Sequence, residues 1–331
     1  MDYNNVMISV IVLTYNAQWE KLSATLISII FQNKIEPQII IADDGSTNNF
    51  EKNILNLFKQ YNFSNYKLSL QDENRGTVEN IRSALQLCNG KYIKAISPGD
   101  CFYNNDSLFK WITFMEKNKS KISFGDAVFY NLHGNKIETI NNVSSPFCKD
   151  VYRDNNRSEL FVRYLLANDT ILGASLAFDK RTLAYLLNKI KGKIIYAEDF
   201  TVRIAVFENI RIDYFDNYII WYEYGTGISS SNNVKWNKRI LDDFNSSNNI
   251  ILNDEEVPDY LSEKYKKYLS TAKKLNIVSK IIKIIYFPSL INIRYEMRYK
   301  IKHRTNIGNA NLNNNYFKQI LIRTKESNAS N

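Results

Sequence analysis

The chain has 331 residues, enough for one large α/β unit plus an appendage, and 43 Lys and Arg against 34 Asp and Glu leave a net charge of +9. Three widely spaced cysteines without a Cys-x-x-Cys pair, together with two histidines, argue against a zinc site or a disulfide framework and fit a reducing cytoplasm. The positive balance points to phosphorylated substrates, an anionic membrane surface or nucleic acid, while a richness in Asn, Ile, Lys and Tyr, as an AT-rich coding sequence produces, accounts for part of it as composition.

No basic stretch precedes the apolar run at 7–13, which is of strand length, so neither a signal peptide nor a spanning helix is indicated. Residues 8–14 form an almost continuous apolar run, as expected of a strand covered on both faces. A helix follows, with Leu22, Leu26, Ile29 and Ile30 at helical spacing. The second strand, 38–43, runs into Asp43-Asp44-Gly45-Ser46. The polar ends of these two strands lie one helix apart, so both emerge at the same rim of a parallel sheet, where open α/β sheets bind ligands. A paired acid with Gly-Ser at that rim suits a nucleotide: carboxylates accept from base N–H or ribose hydroxyls, and glycine lets the backbone turn sharply.

Phe50, Ile54, Leu57, Phe58 and Tyr61 mark a second helix, and 67–70 a third strand. Asn74-Arg75-Gly76 opens a third helix through Val78, Ile81, Leu85 and Cys88, with Asn89 and Gly90 as its C-cap. The strand at 92–97 then delivers Ser97-Pro98-Gly99-Asp100 to the same rim. This alternation predicts right-handed crossovers and a parallel sheet.

The remainder is less regular. It reads as a strand at 122–130, a polar stretch at 133–156, a helix at 158–167, an apolar segment at 171–178 and a helix from 179. Ala197-Glu198-Asp199-Phe200 starts another helix, with Phe200, Ile204 and Phe207 facing inward, followed by strands at 211–215 and 218–224 and a Gly/Ser-rich loop at 225–232. From about 233 the chain is helical, basic and polar. The expected division is one α/β domain at 1–232, with a nucleotide-binding part at 1–103 and a second part at 104–232, which the resemblance described next makes the catalytic domain and its acceptor side, and a helical C-terminal region at 233–331.

Thr14-Tyr15-Asn16-Ala17, Asp43-Asp44-Gly45-Ser46, Asn74-Arg75-Gly76, the strand ending in Pro98-Gly99-Asp100 and the later Ala197-Glu198-Asp199-Phe200, in this order, resemble the family 2 glycosyltransferases of the GT-A fold. Such enzymes build bacterial surface polysaccharide, such as O-antigen or capsule, and glycoconjugates. The resemblance implies an α/β, Rossmann-like, mostly parallel sheet, here with a helical basic C-terminal extension. It implies an inverting transfer of a sugar from a nucleotide-diphosphate donor, UDP-sugar favoured, to a hydroxyl of a glycan or lipid-linked acceptor.

The resemblance also assigns roles. Thr14, Tyr15 and Asn16 line base and ribose, and Asp44 accepts from the uracil ring N–H, while Asp43 caps the second helix or ties the strand ends. Arg75 approaches the diphosphate or is a solvated arginine. Asp100 ends the metal-binding DXD motif and holds Mn²⁺ or Mg²⁺; Gly99 stands where relatives often carry an earlier acid, leaving a single carboxylate with the diphosphate to hold the cation. Read without the family, Pro98-Gly99-Asp100 is simply a turn. Asp199 is the general base, ionised at neutral pH by its ordinary pKa near 3.9. Glu198 orients it or binds an acceptor hydroxyl; the alternative for both is acidic charge at a helix start. Trp221, Tyr222 and Tyr224 with the loop after them resemble a segment that closes over substrates, and either stack on sugar or pack in the core.

Two other classes compete. A non-catalytic sugar-nucleotide-binding module is suggested by Gly99. A nucleotidyltransferase would carry a Gly-rich basic loop after the first strand, which this chain lacks. No nucleic-acid module organises the charge, so no nucleic-acid partner is expected. In the tail, Ile281, Ile282, Ile284, Ile285, Tyr286 and Phe287 are framed by Lys280, Lys283, Arg294, Arg298, Lys300 and Lys302 and interrupted at Pro288. That block is too charged to span a bilayer; it suits an anionic leaflet or packing on the catalytic domain. The expectation is a cytoplasmic protein, peripheral on the inner face of the cell membrane.

Overall fold

The computed structural model describes residues 8–134, 136–140, 143–225, 234–272, 281–282, 285–303 and 312–329. The first half alternates as the sequence predicts: β1 (Ile8–Thr14), α1 (Trp19–Ile30), β2 (Gln38–Asp43), α2 (Glu51–Gln60), β3 (Tyr66–Leu70), α3 (Thr77–Leu87) and β4 (Tyr92–Ile96). β1 pairs in parallel with β2 and β4, and β2 with β3. Every residue of β2 is buried, as is all of β1 except Leu13, because helices cover both faces of these strands.

Next come β5 (Cys101–Phe102), α4 (Ser107–Asn118), β6 (Ile122–His133) and β7 (Lys136–Thr139), then two short helices, α5 (Asp150–Arg153) and α6 (Arg157–Phe161). α6 runs into a wider π-type turn at Val162–Ala167, so the single helix expected at 158–167 is two kinds of helix end to end. β8 (Leu176–Asp179), α7 (Lys180–Ile190), α8 (Thr201–Phe207) and β9 (Ile212–Glu223) complete this part. Among the described residues nine strands form one sheet, ordered β3-β2-β1-β4-β8-β6-β9-β5, with β7 paired to β6. β8 is antiparallel to β4 and β6.

Two expectations are corrected. The strands expected at 211–215 and 218–224 are one strand, β9, whose pairing with β6 shifts register around Asp126; a bulge absorbs the polar Asp216-Asn217 interruption without ending the strand. Gly90 is not a left-handed helix cap: α3 ends in the extended residue Cys88, and a Cβ on Gly90 would lie 2.3 Å from the Ser9 backbone nitrogen. Its glycine is required by close approach to β1, where its N–H donates to Ser9 Oγ.

The C-terminal helices are α9 (Val234–Leu252), α10 (Asp259–Ala272), α11 (Pro288–His303) and α12 (Asn315–Ala329). α9, α10 and α11 pack on the face of the sheet that carries α3, α7 and α8, through Ile251, Tyr265, Leu290 and Ile293. α12 returns to the opposite face. Phe317 stacks on Trp221 with ring centres 4.8 Å apart and also meets Tyr130, and Tyr316 donates to the Ser28 carbonyl. α1 also buries Thr25 and Ser28 against the turn between β4 and β5, where Thr25 Oγ1 donates to the Asp100 carbonyl at 2.8 Å and accepts the Gly99 N–H, and Ser28 Oγ accepts the Phe102 N–H. Trp221 is therefore a core residue, which decides its packing in favour of the core. The expected boundary near 233 and most of the loop at 225–232 lie outside the described residues.

Candidate functional site

The carboxyl ends of β1, β2 and β4 meet at one rim. Asp43 ties it together: Thr14 Oγ1 and Ser46 Oγ both donate to Asp43 Oδ2, at 2.7 and 2.6 Å, and the Ser46 N–H donates to Oδ1. Of the two roles expected for Asp43, strand tie and helix cap, the structure shows the tie; α2 starts only at Glu51. Asn16 sits at positive φ, takes the Thr47 N–H on Oδ1 and donates its own N–H to Ser46 Oγ, so the loops after β1 and β2 form one unit. Tyr15 is 48 % exposed beside this unit.

Asp44 is buried, and its carboxylate accepts the N–H groups of Arg75 and Gly76 at 2.8 and 2.9 Å. Burial raises its pKa against the pull of those bonds. Asp44 thus fixes the turn that opens α3. Gly76 adopts φ +88°, and a Cβ there would fall 2.3 Å from Ile195 Cγ2, so the turn presses on the chain leading to Glu198. The Arg75 side chain is half exposed and lies 3.5 Å from Glu73.

Gly99 also has positive φ, and Tyr130 donates its hydroxyl to the Gly99 carbonyl. A Cβ at Gly99 would lie 2.3 Å from Glu223 Oε2. The space of the missing side chain is filled by a carboxylate arriving from the end of β9. The Glu223 backbone N–H donates to Asp100 Oδ1 at 3.2 Å, and Lys21 pairs with Glu223 Oε1 at 2.7 Å. Asp100 is 4 % exposed, and burial pushes its pKa up to about 7.

Beneath this point lies Lys94, which is fully buried in β4 and donates to the carbonyls of Ala95 and Ala174. Loss of water pulls its pKa down to about 7, while Asp100 and Glu198 act in the opposite direction. Sequence reasoning missed Lys94; the available signal was a lone lysine inside an otherwise apolar strand, Tyr-Ile-Lys-Ala-Ile.

Glu198 and Asp199 lie on a single 3₁₀ turn that leads into α8. Each keeps some solvent contact, yet burial raises both carboxyls. Next in effect, Asp199 raises Glu198 further, whereas a hydrogen bond from its own backbone and then Arg203 draw Asp199 back down. The inward residues of α8 are Ile204 and Phe207, as expected, with Phe200 partly buried. The structure therefore brings together Thr14, Asn16, Asp43, Asp44 and the backbone of Arg75 in one hydrogen-bonded unit. Through Val78 and Gly76 it joins this unit to Ile195, on the segment that leads into Glu198 and Asp199. Among the described residues no group of three or more His, Cys, Asp or Glu forms a metal cluster, and no helix is long and apolar enough to cross a membrane.

A doubly wound sheet with a polar rim of this build is a nucleotide-binding architecture. The family model "Glycosyl transferase family 2" matches residues 9–180, which ends before Glu198 and Asp199. An uncharacterized glycosyltransferase of Haemophilus influenzae is 30 % identical over 137 residues, 41 % of this chain and 53 % of the relative, so the chain spans about half the length of that curated relative. Among solved structures, S. aureus TarS 1-349 in complex with UDP-GlcNAc has a TM-score of 0.54 at 15 % identity, covering 97 % of this chain and 92 % of that one. The mannosyltransferase PcManGT of Pyrobaculum calidifontis, in complex with GDP-Man and Mn²⁺, has a TM-score of 0.52 at 12 % identity, covering 97 % and 86 %. These likenesses show the fold, which is GT-A. The chain belongs to glycosyl transferase family 2.

Proposed function

We propose that the protein is an inverting glycosyltransferase that moves a sugar from a nucleotide diphosphate, UDP-sugar first among candidates, to a hydroxyl of a glycan or lipid-linked acceptor. The observation that carries this reading is the contact between the nucleotide-side turn and the acid pair: the Val78 N–H donates to the Ile195 carbonyl at 3.0 Å and Gly76 packs against Ile195, on the segment that leads directly into Glu198 and Asp199. A passive binding module has no use for a partly buried acid pair coupled to its nucleotide site.

In the proposed reaction the acceptor oxygen attacks the anomeric carbon, its O–C bond forms as the bond from that carbon to the diphosphate breaks, and the acceptor proton passes to Asp199. Glu198 holds the acceptor hydroxyl. On the donor side Tyr15 and the unit of Thr14, Asn16 and Asp43 line base and ribose. Asp44, whose carboxylate keeps lone pairs beyond the two taken by Arg75 and Gly76, accepts from the base N–H. Arg75 reaches the diphosphate.

Asp100 fits a divalent cation, because Glu223 brings a second carboxylate into the place of the absent side chain at Gly99. These two would hold Mn²⁺ or Mg²⁺ with diphosphate oxygens completing the shell, in keeping with hard cations that take one or two carboxylates. Once bound, the ion would offset charge on the departing diphosphate. PcManGT was solved with Mn²⁺ and GDP-Man, and TarS with UDP-GlcNAc, which supports a nucleotide-sugar donor and a cation here.

The tail supports docking to an anionic membrane from the cytoplasmic side. α11 buries Leu290 and Ile293 against the catalytic face and leaves Ile291, Tyr295 and Tyr299 exposed beside Arg298. Lys280, Lys283 and Ile284 of the expected block lie outside the described residues. Because α12 follows and packs on α1, replacing Ile291, Tyr295 and Tyr299 by Ser is a cleaner test than truncation; the variant should lose binding to anionic vesicles and keep nucleotide binding. The principal test is a panel of nucleotide sugars scored by thermal shift with Mn²⁺ or EDTA and then by transfer and product stereochemistry. One donor should stabilise the protein only with the cation and give an inverted product; no stabilisation by any donor, or a retained configuration, contradicts the reading.

A further inference from the structure

We propose that Asp243, on α9 in the C-terminal region, is a positioning residue that sets the acid pair in place for transfer. The inference rests on the reading of Glu198 and Asp199 as the acceptor-side pair. Asp243 is 4 % exposed, and its carboxylate gathers three successive backbone N–H groups from the segment directly before the pair. Ile195 donates to Oδ1 at 3.0 Å, and Tyr196 and Ala197 donate to Oδ2 at 2.7 and 3.0 Å. Three donors converging on one buried carboxylate hold a short non-helical segment more tightly than any single side-chain bond.

The same segment is fixed from its other side. The Ile195 carbonyl accepts the Val78 N–H at 3.0 Å, and Gly76 leaves no room for a side chain against Ile195. The chain at 195–197 is thus held between the donor-side turn and α9. A second tie follows the pair. Arg203, one turn after Asp199, is buried and donates to Asn248 Oδ1 at 2.9 Å and to the Tyr265 hydroxyl at 2.6 Å, with its guanidinium 4.5 Å from the centre of the Phe244 ring. Asn248 and Phe244 lie on α9 with Asp243, and Tyr265 on α10. Glu198 and Asp199 therefore stand on a short span whose two ends are anchored to the same helix. Pre-organised carboxylates need such support, since a displacement of about 1 Å can cost about 100-fold in rate.

The test compares the full-length protein with Asp243→Asn, Asp243→Ala and, as a control on the exposed neighbouring position, Asp242→Asn. Asn retains an acceptor for part of the set while placing an N–H₂ against the remaining donor, so it isolates the clamp without emptying the site. Amide hydrogen exchange at 195–197 should quicken in Asp243→Asn and further in Asp243→Ala. Turnover should fall by about 10-fold and about 100-fold respectively, while donor affinity stays within about threefold of wild type. Asp242→Asn should leave all three unchanged. Should the Ala variant fail to fold, the Asn variant decides alone. Unchanged exchange and turnover in Asp243→Asn would overturn the proposal, as would a loss of donor affinity equal to the loss of turnover, which would mark Asp243 as general scaffolding. If the wild type transfers no sugar, the functional reading fails while hydrogen exchange still reports on the clamp itself.

Discussion

Asp43 and Asp44 find every hydrogen-bond partner named for them between Thr14 and Gly76, on loops that follow consecutive strands. The span carrying Glu198 and Asp199 meets the donor-side turn at Val78, but its side-chain anchors Asp243, Asn248 and Tyr265 all come from helices later in the chain. Both regions are rigidified by backbone N–H groups donating to buried carboxylates. One writes its ligands next to each other in sequence, whereas the other borrows them from a part of the chain that looks like an appendage. A parallel sheet enforces the first arrangement, because each strand must deliver its loop to the same rim. Nothing comparable dictates where the second set of partners lies.

The largest effect should come from the donor rim. Asp100→Ala should reduce transfer below detection and abolish the cation-dependent part of nucleotide stabilisation in a thermal-shift assay; full activity would remove the proposed role of Asp100. Phe317→Ala tests whether the returning C-terminal helix is part of the catalytic core. Removing a buried ring that stacks on Trp221 should cost about 3–5 kcal/mol in urea unfolding. A cost near zero would mean that α12 is dispensable. Gly76→Ala forces a side chain onto a residue at φ +88° and against Ile195, so it should cost about 1–3 kcal/mol and weaken donor binding and turnover together. If donor binding alone suffers, the two regions are mechanically independent.

The contrast explains what could be read from the residues. β1 falls where its apolar run places it, and the pairings around β1, β2 and β4 follow from the strand-helix alternation. The polar rim was legible because its chemistry is contiguous. Gly90 misled as a helix cap because a glycine needed for close backbone approach looks the same in sequence as one needed for positive φ. β9 was split because Asp216 and Asn217 resemble a turn, and only pairing with β6 reveals a bulge. Lys94 left a faint trace as a charge in a buried strand. Asp243 left none: in Leu-Asp-Asp-Phe on an amphipathic helix it is indistinguishable from its exposed neighbour Asp242 until the chain is folded.

A smaller effect concerns pH. Burial raises the Asp199 carboxyl, and a base acts only when ionised, so turnover should decline on acidification at a pH above the ordinary aspartate value near 3.9. In Arg203→Met that acid limb should move higher still, because the guanidinium that favours the ionised form is gone.

The most direct test of the account is single-turnover transfer by Asp199→Asn and Glu198→Gln, measured beside donor affinity. With the preferred nucleotide sugar, Asp199→Asn should lose about 10²–10⁴-fold in rate while binding the donor as wild type does, and Glu198→Gln should lose less. Near-normal transfer by Asp199→Asn, with Glu198→Gln crippled, would contradict the assignment of the base; normal transfer by both would contradict the acid pair as the site of chemistry.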